Sequence, residues 1–348
     1  VRECSENTRT TVLAAGRRIS TIVVSAALRE SGVDVHMHDW TWIEGTGRRR
    51  ASATLELSAN VAAARAHLTD SPGVHVVNGR THAGSSAQAT HSSVPALDLT
   101  TAVLACELDA DAIEVLAEVP GIMSADPRAV PSAFPVRRLS YSEASELSQW
   151  SGSALDPSAI RLLSDRNIPL LVHRAGESED AGTLVSRERA PSHPVQGFAS
   201  AERVALIRLE GPALRRASAV GRIFSATLGV SGSLLFAVHG SSDSSTSLAV
   251  RHERVPTVLD ALSEEFRLEC ASGEIERVRV EQDLSIVAVV GEGIGRRPGV
   301  SARAFAALAE HGISANATHH SPSELTLLFA VSTSERVHAL RALHDAFY

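Results

Sequence analysis

The C-terminal half of the sequence repeats itself once, and this repeat constrains the fold more than any other feature. Two apolar runs, VALIRLEGP and LSIVAVVGEG, are each followed by a loop, a helix pattern, two strand patterns and a second helix pattern. Phe224 and Phe305, one in each copy, are 81 positions apart, and so are Asp243 and Glu324. The order strand, helix, strand, strand, helix predicts two small ferredoxin-like units. Two copies are too few for a solenoid, so a paired module is expected.

The predicted boundaries of the two copies are residues 195–280 and 281–348. The second copy stops after its last helix pattern at Tyr348, so its final strand is either missing or supplied from elsewhere. An isolated small sheet leaves an open strand edge, and such edges are usually covered in proteins. We therefore expect the chain to form a homodimer or to associate with a related chain.

Residues 1–190 alternate between strand and helix patterns. Strands are predicted at 33–38, 73–78, 112–119 and 169–173, and helices at 21–30, 62–68, 100–108, 142–148 and 158–164. This alternation favours an α/β domain with a mostly parallel sheet covered on both faces, which makes three layers. Residues 187–194 contain two prolines and several charges and are predicted to be a linker to the repeat.

Composition excludes several classes of function. The formal net charge is −7, which gives no general attraction to nucleic acid or to an anionic membrane. The cysteines Cys4, Cys106 and Cys270 are odd in number and lack the spacing of metal ligands, so no metal site is predicted. All 33 Lys-plus-Arg residues are arginine, so no mechanism that uses a lysine amine is available. No apolar run reaches about 18 residues, and a cytoplasmic protein is expected.

Several segments, in one order along the chain, resemble the aspartokinase family. AEVPGIMSADPR at 117–128 resembles that family's TDVPGIYTADPR, and LSYSEASEL at 139–147 resembles its ISYEEALEL. The segment from Asn167 to Ser186 and the run GRRIST at 16–21 also have counterparts, and the repeat resembles tandem ACT domains. The resemblance implies an amino-acid-kinase-like domain, N-terminally truncated, followed by two ACT units.

The same resemblance implies a reaction and its regulation. Aspartokinases transfer the γ-phosphoryl group of ATP to L-aspartate, giving 4-phospho-L-aspartate, and use Mg²⁺; lysine, threonine or methionine inhibits them. A small amino-acid effector is therefore expected here, and ATP with Mg²⁺ only if the kinase site is functional. By the same resemblance Asp98 is the retained catalytic position. Glu118, Asp126 and Arg128 fall at nucleotide-binding positions.

Many of the implied kinase residues are changed. The family's opening K-F-G-G-T-S segment has no counterpart, and Arg17 stands where a substrate-site glutamate is expected. The aspartate-binding arginine is replaced by Val94, a lysine by Ser153 and a histidine by Asp156. Loss of one such contact can cost roughly a hundredfold or more in rate. We therefore expect the kinase half to be a scaffold without activity.

The retained kinase positions also have simpler interpretations. Asp98 can equally cap the helix that starts at Leu99 or Thr100. Glu118 could contact a ribose or Mg²⁺, but a single carboxylate at a strand end is commonly solvated. Asp126 and Arg128 flank a proline and could simply fix a turn.

The repeat loops are the candidate effector site. Glycine-rich turns before a helix expose backbone amides that suit a ligand carboxylate, and an acidic residue in the following turn suits an α-amino group. An ordinary turn between two strands is the alternative. The candidate effector-binding residues in the two copies are Gly211, Ser242, Asp243, Gly291, Gly293, Ser323 and Glu324.

Three functions remain open from the sequence. The first is a non-catalytic, amino-acid-sensing relative of aspartokinase. The second is an active, feedback-regulated aspartate kinase whose N-terminal segment is missing from this chain. The third is a decayed fragment with only a structural or assembly role.

Overall fold

The computed structural model describes residues 6–38, 65, 68, 71–77, 97, 99–151, 155–176, 182–188, 193–230, 234–240, 244–292, 294–295 and 297–348. The chain divides into two compact units. The N-terminal unit comprises Val1–Ile122 and Pro135–Pro191, and the C-terminal unit comprises Met123–Phe134 and Ser192–Tyr348. In the described part of the chain, no helix is both long enough and apolar enough to cross a membrane.

The N-terminal unit alternates helices and strands, as the sequence pattern predicts. Its described helices are α1 (Glu6–Glu30), α2 (Leu99–Glu107), α3 (Tyr141–Ser151) and α4 (Pro157–Arg166). Its described strands are β1 (Val35–His38), β2 (Val74–Val77), β3 (Ile113–Ala117), β4 (Arg138–Ser140), β5 (Leu170–Arg174) and β6 (Thr183–Ser186). The helix predicted at 62–68 falls largely outside the described residues, although Arg65 and Leu68 are helical.

The sheets of this unit are mostly parallel. Strand β1 pairs with β2 in parallel, and a four-stranded sheet has the order β3-β5-β6-β4. The pairs β3–β5 and β4–β6 are parallel, whereas β5–β6 is antiparallel. The connection from Arg174 to Thr183 is too short for a parallel crossover, which needs a dozen or more residues, so the chain turns back as a hairpin.

Apolar side chains from the strands β4 and β5 and from helix α4 form part of the core of this unit. Leu139, Ile160, Leu163 and Leu170 are all fully buried, which matches the predicted burial of a covered sheet. The hydroxyl of Tyr141 donates a 2.7 Å hydrogen bond to the carbonyl of Ile168, so the one polar atom of this buried ring is satisfied.

The C-terminal unit contains the predicted repeat. Its described strands are β7 (Gly197–Glu210), β8 (Leu234–His239), β9 (Ser245–Arg251), β10 (Arg277–Val290), β11 (Ala317–His320) and β12 (Thr326–Ser332). Its described helices are α5 (Ala217–Gly229), α6 (Val255–Glu265), α7 (Arg267–Ala271), α8 (Val300–Glu310) and α9 (Arg336–Phe347). The six strands have the order β11-β12-β10-β7-β9-β8.

The two long strands resolve the question of the missing last strand. The first half of β7 (197–201) pairs with the second half of β10 (286–290) and so completes the second copy. The first half of β10 (277–281) pairs with the second half of β7 (206–210) and so completes the first copy. Each long strand therefore ends one copy and begins the other, and the strand missing from the C-terminus comes from earlier in the same chain.

Each long strand bends at its middle. Arg203 and Asp283 are 80 positions apart, and both adopt positive φ angles, 58° and 59°. The β7–β10 register shifts on either side of Leu284. Non-glycine residues rarely adopt this conformation, and bulges of this kind bend a strand and increase its twist. The bends separate the part of the sheet that belongs to the first copy from the part that belongs to the second.

The sheet of the C-terminal unit is buried on both faces. One face packs against helices, with Ile207 and Leu248 in one apolar cluster and Val287 and Phe329 in another. The opposite face is also buried, because Leu206, Ala249, Ile286, Ala288 and Ala330 have little or no exposure. The ring of Phe236 on β8 stacks on His319 of β11 at 5.2 Å, although these strands lie at opposite ends of the strand order. The two halves of the sheet therefore fold onto each other.

Candidate functional site

The kinase-like positions in the N-terminal unit are only partly described. Glu118 lies just after β3 and is exposed. Its backbone carbonyl accepts a 2.9 Å hydrogen bond from Nε of Arg174. Asp98, together with Val94 and Ser153, falls outside the described residues, so the choice between a cap and a substrate contact for Asp98 stays a prediction.

Asp126 and Arg128 form a two-pronged ion pair. Nη2 of Arg128 donates to Oδ2 of Asp126 at 2.9 Å, while Nε and the backbone amide of Arg128 donate to Oδ1 at 3.1 and 3.0 Å. Burial by itself raises the pKa of the Asp126 carboxyl, but the hydrogen bonds and charge of Arg128 outweigh burial and lower that pKa below its usual value. Both residues belong to the C-terminal unit, whereas Glu118 belongs to the N-terminal unit.

Asp156 stands where the family resemblance expects a histidine, and here it has a structural contact. Its Oδ1 accepts a 2.7 Å hydrogen bond from the backbone amide of Ser158, and Pro157 occupies the first turn of α4. This is the geometry of a helix N-cap. The carboxylate therefore satisfies an orphan amide of α4.

The described residues do not form a ready site for Mg²⁺. No three His, Cys, Asp or Glu side chains among them converge in a way that could hold a metal ion. Both carboxylate oxygens of Asp126 already accept hydrogen bonds from Arg128. A divalent cation at Asp126 would stand beside the guanidinium of Arg128, and the repulsion between the two positive charges opposes its binding.

Gly211 and Gly291 stand at equivalent places in the two copies, where the first strand ends. A methyl group on Gly211 would lie 2.3 Å from the carbonyl oxygen of Glu274, and one on Gly291 would lie 2.2 Å from that of Pro194. Glycine is therefore required at both positions by close backbone approach. The amide of Gly291 donates to the carbonyl of Leu325, and that of Gly211 to Ser244, so neither amide is available to a ligand.

The second copy brings its glycine loop against the following turn. Gly295 lies against the side chains of His320 and Glu324. A methyl group on Gly295 would lie 2.9 Å from Cε1 of His320 and 3.1 Å from Cγ of Glu324. Glu324 has a positive φ of 60°, and its amide donates to the carbonyl of Ser321 at 2.9 Å. The hydroxyls of Ser321 and Ser323 lie 2.6 Å apart. The loop and the acidic turn thus form one polar cluster at the end of the sheet.

The first copy is only partly visible at the equivalent place. Arg215 donates from Nε to the hydroxyl of Ser244 at 2.8 Å, and His239 Nδ1 lies 2.8 Å from the hydroxyl of Thr246. Ser242 and Asp243, and Gly293 of the second copy, fall outside the described residues. Their proposed roles as effector contacts remain predictions.

Sequence reasoning missed one buried residue that contacts the ADPR segment. His344 of α9 is 2% exposed, and its Nε2 lies 3.0 Å from the hydroxyl of Ser124. The two residues are 220 positions apart, and no local pattern marks a histidine in an amphipathic helix as a long-range partner. The only available signal was the position of Ser124 within a motif of the family.

Comparisons with known proteins agree with this architecture. The profile of the amino acid kinase family matches residues 4–173, and that of the ACT domain matches residues 287–347. The second profile falls within the second copy of the repeat.

Two relatives match most of the chain. A bifunctional aspartokinase/homoserine dehydrogenase 1 of Arabidopsis thaliana is 31% identical over 258 residues, which cover 72% of this chain and 28% of that relative. The chain thus spans less than a third of the length of this bifunctional protein. Aspartokinase 2 of Bacillus subtilis is 27% identical over 340 residues, which cover 97% of this chain and 81% of that protein.

A solved structure shows the same fold. The crystal structure of Escherichia coli aspartokinase III in complex with aspartate and ADP superposes with a TM-score of 0.80 at 20% identity. The match covers 99% of this chain and 77% of that one. At this identity the likeness concerns the fold.

Proposed function

The chain belongs to the aspartokinase family, and from this premise we propose that it is a member without kinase activity that acts as an amino-acid-sensing regulatory module. The observation that carries the proposal is a contrast between the two halves. The sensor repeat is complete in both copies, because the long strands exchange their halves, whereas the kinase positions lack the charges that phosphoryl transfer needs.

Phosphoryl transfer depends on cations and backbone donors placed around the transferred group. In this chain an expected arginine is Val94, an expected lysine is Ser153, and Pro95 has no backbone N–H to donate. The carboxylate at Asp156 is used as a helix cap. Each lost contact can cost roughly a hundredfold or more in rate, and together they support an inactive kinase half.

A small amino acid is the ligand that the sensor repeat suits best. The cluster of Gly295, His320, Ser323 and Glu324 offers an acidic side chain, hydroxyls and a glycine loop within one end of the second copy. A carboxylate such as that of Glu324 suits an α-amino group, and hydroxyls and amides suit an α-carboxylate. We propose that Gly211 and Gly291 belong to the effector sites through the shape they give the loop, and that Ser242, Asp243 and Gly293 contact the effector directly.

The proposal extends to organisation and partners. We propose residues 1–190 as the kinase-like region and 195–280 and 281–348 as the two ACT units, with the first strand of the first unit also completing the second. We further propose that the chain is cytoplasmic and functions as a homodimer or bound to an active aspartokinase.

Two measurements test the proposed function together. A coupled assay with ATP, Mg²⁺ and L-aspartate should show no ADP release above a no-enzyme control. In a thermal denaturation series with about 10 mM L-lysine, L-threonine or L-methionine, at least one amino acid should raise the melting temperature, because a ligand that binds only the folded state stabilises it. D-enantiomers at the same concentration serve as matched controls. Turnover, or the absence of any shift with every proteinogenic amino acid, would contradict the proposal.

An active, feedback-regulated aspartate kinase is the second candidate. The observation in its favour is that the Asp126–Arg128 pair of the ADPR motif is retained and held in one geometry by three hydrogen bonds. The same coupled assay, run on the full open reading frame, separates the two candidates. Aspartate-dependent ADP release that an amino acid inhibits would establish the second.

A further inference from the structure

Residues 123–134 leave the N-terminal unit and fold as part of the C-terminal unit. The amide of Val136 donates to the carbonyl of Ile122 at 2.8 Å, so the N-terminal unit closes at the base of this segment. Beyond this point, Ala125, Ala129 and Val130 are almost fully buried in the apolar cluster of the second ACT copy. The segment that carries the ADPR motif is therefore packed as a piece of the sensor.

The segment is fastened to the sensor by its backbone. The carbonyl of Ser124 accepts a 2.6 Å hydrogen bond from the amide of Phe198, on the strand half that completes the second copy. Nε of Arg341, on α9, donates to the carbonyl of Ala129 at 2.6 Å. The first contact covers part of a sheet edge that would otherwise be open.

His344 holds the centre of the segment. Its Nε2 lies 3.0 Å from the hydroxyl of Ser124, and that hydroxyl accepts a 3.1 Å hydrogen bond from the amide of Phe134. The imidazole is enclosed by the rings of Phe134, Phe198 and Tyr348. A serine hydroxyl donates one hydrogen bond and accepts two, so Nε2 of a neutral His344 can pair with Ser124 either as donor or as acceptor while the amide of Phe134 stays bonded.

A continuous set of contacts joins this segment to the proposed effector loop. The rings of Phe134 and Tyr348 are nearly perpendicular with their centroids 4.8 Å apart, and the hydroxyl of Tyr348 donates to the carbonyl of Val195 at 2.9 Å. The Cα of Val195 is one of the atoms that a methyl group on Gly291 would meet, at 2.8 Å. A shift of the loop at Gly291 would therefore have to move the backbone at Val195, which holds the hydroxyl of Tyr348.

We infer that residues 123–134 are the coupling element between sensor and nucleotide-binding motif, and that His344 is the positioning residue that transmits the state of the second ACT copy to the Asp126–Arg128 pair. This inference rests on the proposed sensing function. Contact alone does not establish coupling between sites. The coupling is measured by whether ligand binding at one end changes the stability of the other.

Hydrogen–deuterium exchange on the full chain tests the inference. Peptides covering 123–134 are followed with and without about 10 mM L-lysine, L-threonine or L-methionine. The amino acid that raises the melting temperature should slow exchange in this segment by roughly threefold or more in the wild type. His344→Leu should abolish that slowing while the melting-temperature rise persists. His344→Gln, which keeps a polar group able to form a hydrogen bond with Ser124, should retain the slowed exchange.

His338→Leu is the matched control, because His338 is exposed on the same helix and contacts His311 instead. It should behave as the wild type. Ser124→Ala deletes the same hydrogen bond with a smaller change in volume and should reproduce His344→Leu if the latter folds poorly. A melting-temperature rise without slowed exchange in the segment, or slowing that survives both His344→Leu and Ser124→Ala, would overturn the inference.

Failure of the proposed function is distinguishable from failure of the inference. If no amino acid raises the melting temperature, sensing is excluded, but the anchoring is still measured without ligand. His344→Leu and Ser124→Ala should then speed exchange in the 123–134 peptides by roughly tenfold relative to His338→Leu. Equal rates in all three variants would exclude the anchoring as well.

Discussion

The close approach of the chain at Gly291 leads to a quantitative prediction about stability. Gly291→Ala places a methyl carbon 2.2 Å from the carbonyl oxygen of Pro194 and 2.8 Å from the Cα of Val195, whereas ordinary contact begins at 3.4 Å. Both obstacles are backbone atoms, so no side chain can rotate away. The strand that completes the second copy starts two residues after Val195, and its entry would have to move by about 1 Å.

The size of the effect follows from the known cost in stability of substitutions that overpack a protein interior. Forcing extra carbon into packed interiors typically costs about 1–3 kcal/mol, and we expect the upper end because the whole strand entry must shift. For a unit of this size each kcal/mol lowers the melting temperature by about 2–4 °C. Gly291→Ala should therefore lower the melting temperature of the C-terminal unit by about 6–12 °C.

The distribution of tryptophan makes the assay specific to one unit. The three tryptophans, Trp40, Trp42 and Trp150, all lie outside the chain ranges of the C-terminal unit, so their fluorescence does not report on that unit directly, whereas far-ultraviolet circular dichroism follows both units. The circular dichroism transition of Gly291→Ala should shift more than the fluorescence transition.

Gly221→Ala is the control for this substitution. Gly221 lies within helix α5, and a methyl group there would have no other atom within 4 Å. Alanine at this position should therefore stabilise the C-terminal unit by about 0.5–1 kcal/mol. If Gly291→Ala unfolds within about 0.5 kcal/mol of the wild type, the argument from backbone approach is refuted.

Three further perturbations test other contacts. Tyr141→Phe should lower the unfolding free energy by about 1–2 kcal/mol, because the Ile168 carbonyl loses its buried donor; tryptophan-monitored urea denaturation checks this, and an unchanged midpoint would contradict it. Asp156→Ala should cost about 1 kcal/mol through loss of the helix cap, and Asp156→Asn should recover most of it; equal losses would show that the charge matters instead. Burial lowers the pKa of His344, an effect that neighbouring Asp345 partly offsets, so the unfolded chain takes up a proton that the folded chain resists. Stability should then fall as the pH drops below about 6.5, the ordinary histidine value, and the fall should be shallower in His344→Gln; parallel pH profiles would exclude this titration.

Local patterns predicted much of the fold. Most helices and strands of the N-terminal unit lie within a few residues of their predicted positions, because apolar periodicity reports directly which face of an element is buried. The repeat was visible for the same reason. The 81-residue spacing of the repeat is confirmed between β9 and β12 and between the first residues of α6 and α9, while the long strands are 80 residues apart. The extra residue of the second copy falls between Gly291 and Phe305, a difference too small for pattern reading to detect.

Long-range features were beyond such patterns. The exchange of strand halves between the copies depends on bends at Arg203 and Asp283, two polar residues whose positive φ has no signature in composition. Gly211 and Gly291 were predicted from the sequence as effector contacts, but the structural reason for glycine there was not predicted. Their amides donate to the carbonyls of Ser244 and Leu325, and the absence of a side chain makes room for a backbone segment that passes close by.

The sequence by itself determined the family, the two-copy repeat and the absence of lysine from these 348 residues, because these are properties of residue order and residue type. Only the tertiary structure decided which segments belong together. It placed residues 123–134 in the C-terminal unit and Ser124 against His344, 220 positions away. The physical reason is that burying apolar surface is favourable whatever the separation of the contacting residues in the sequence.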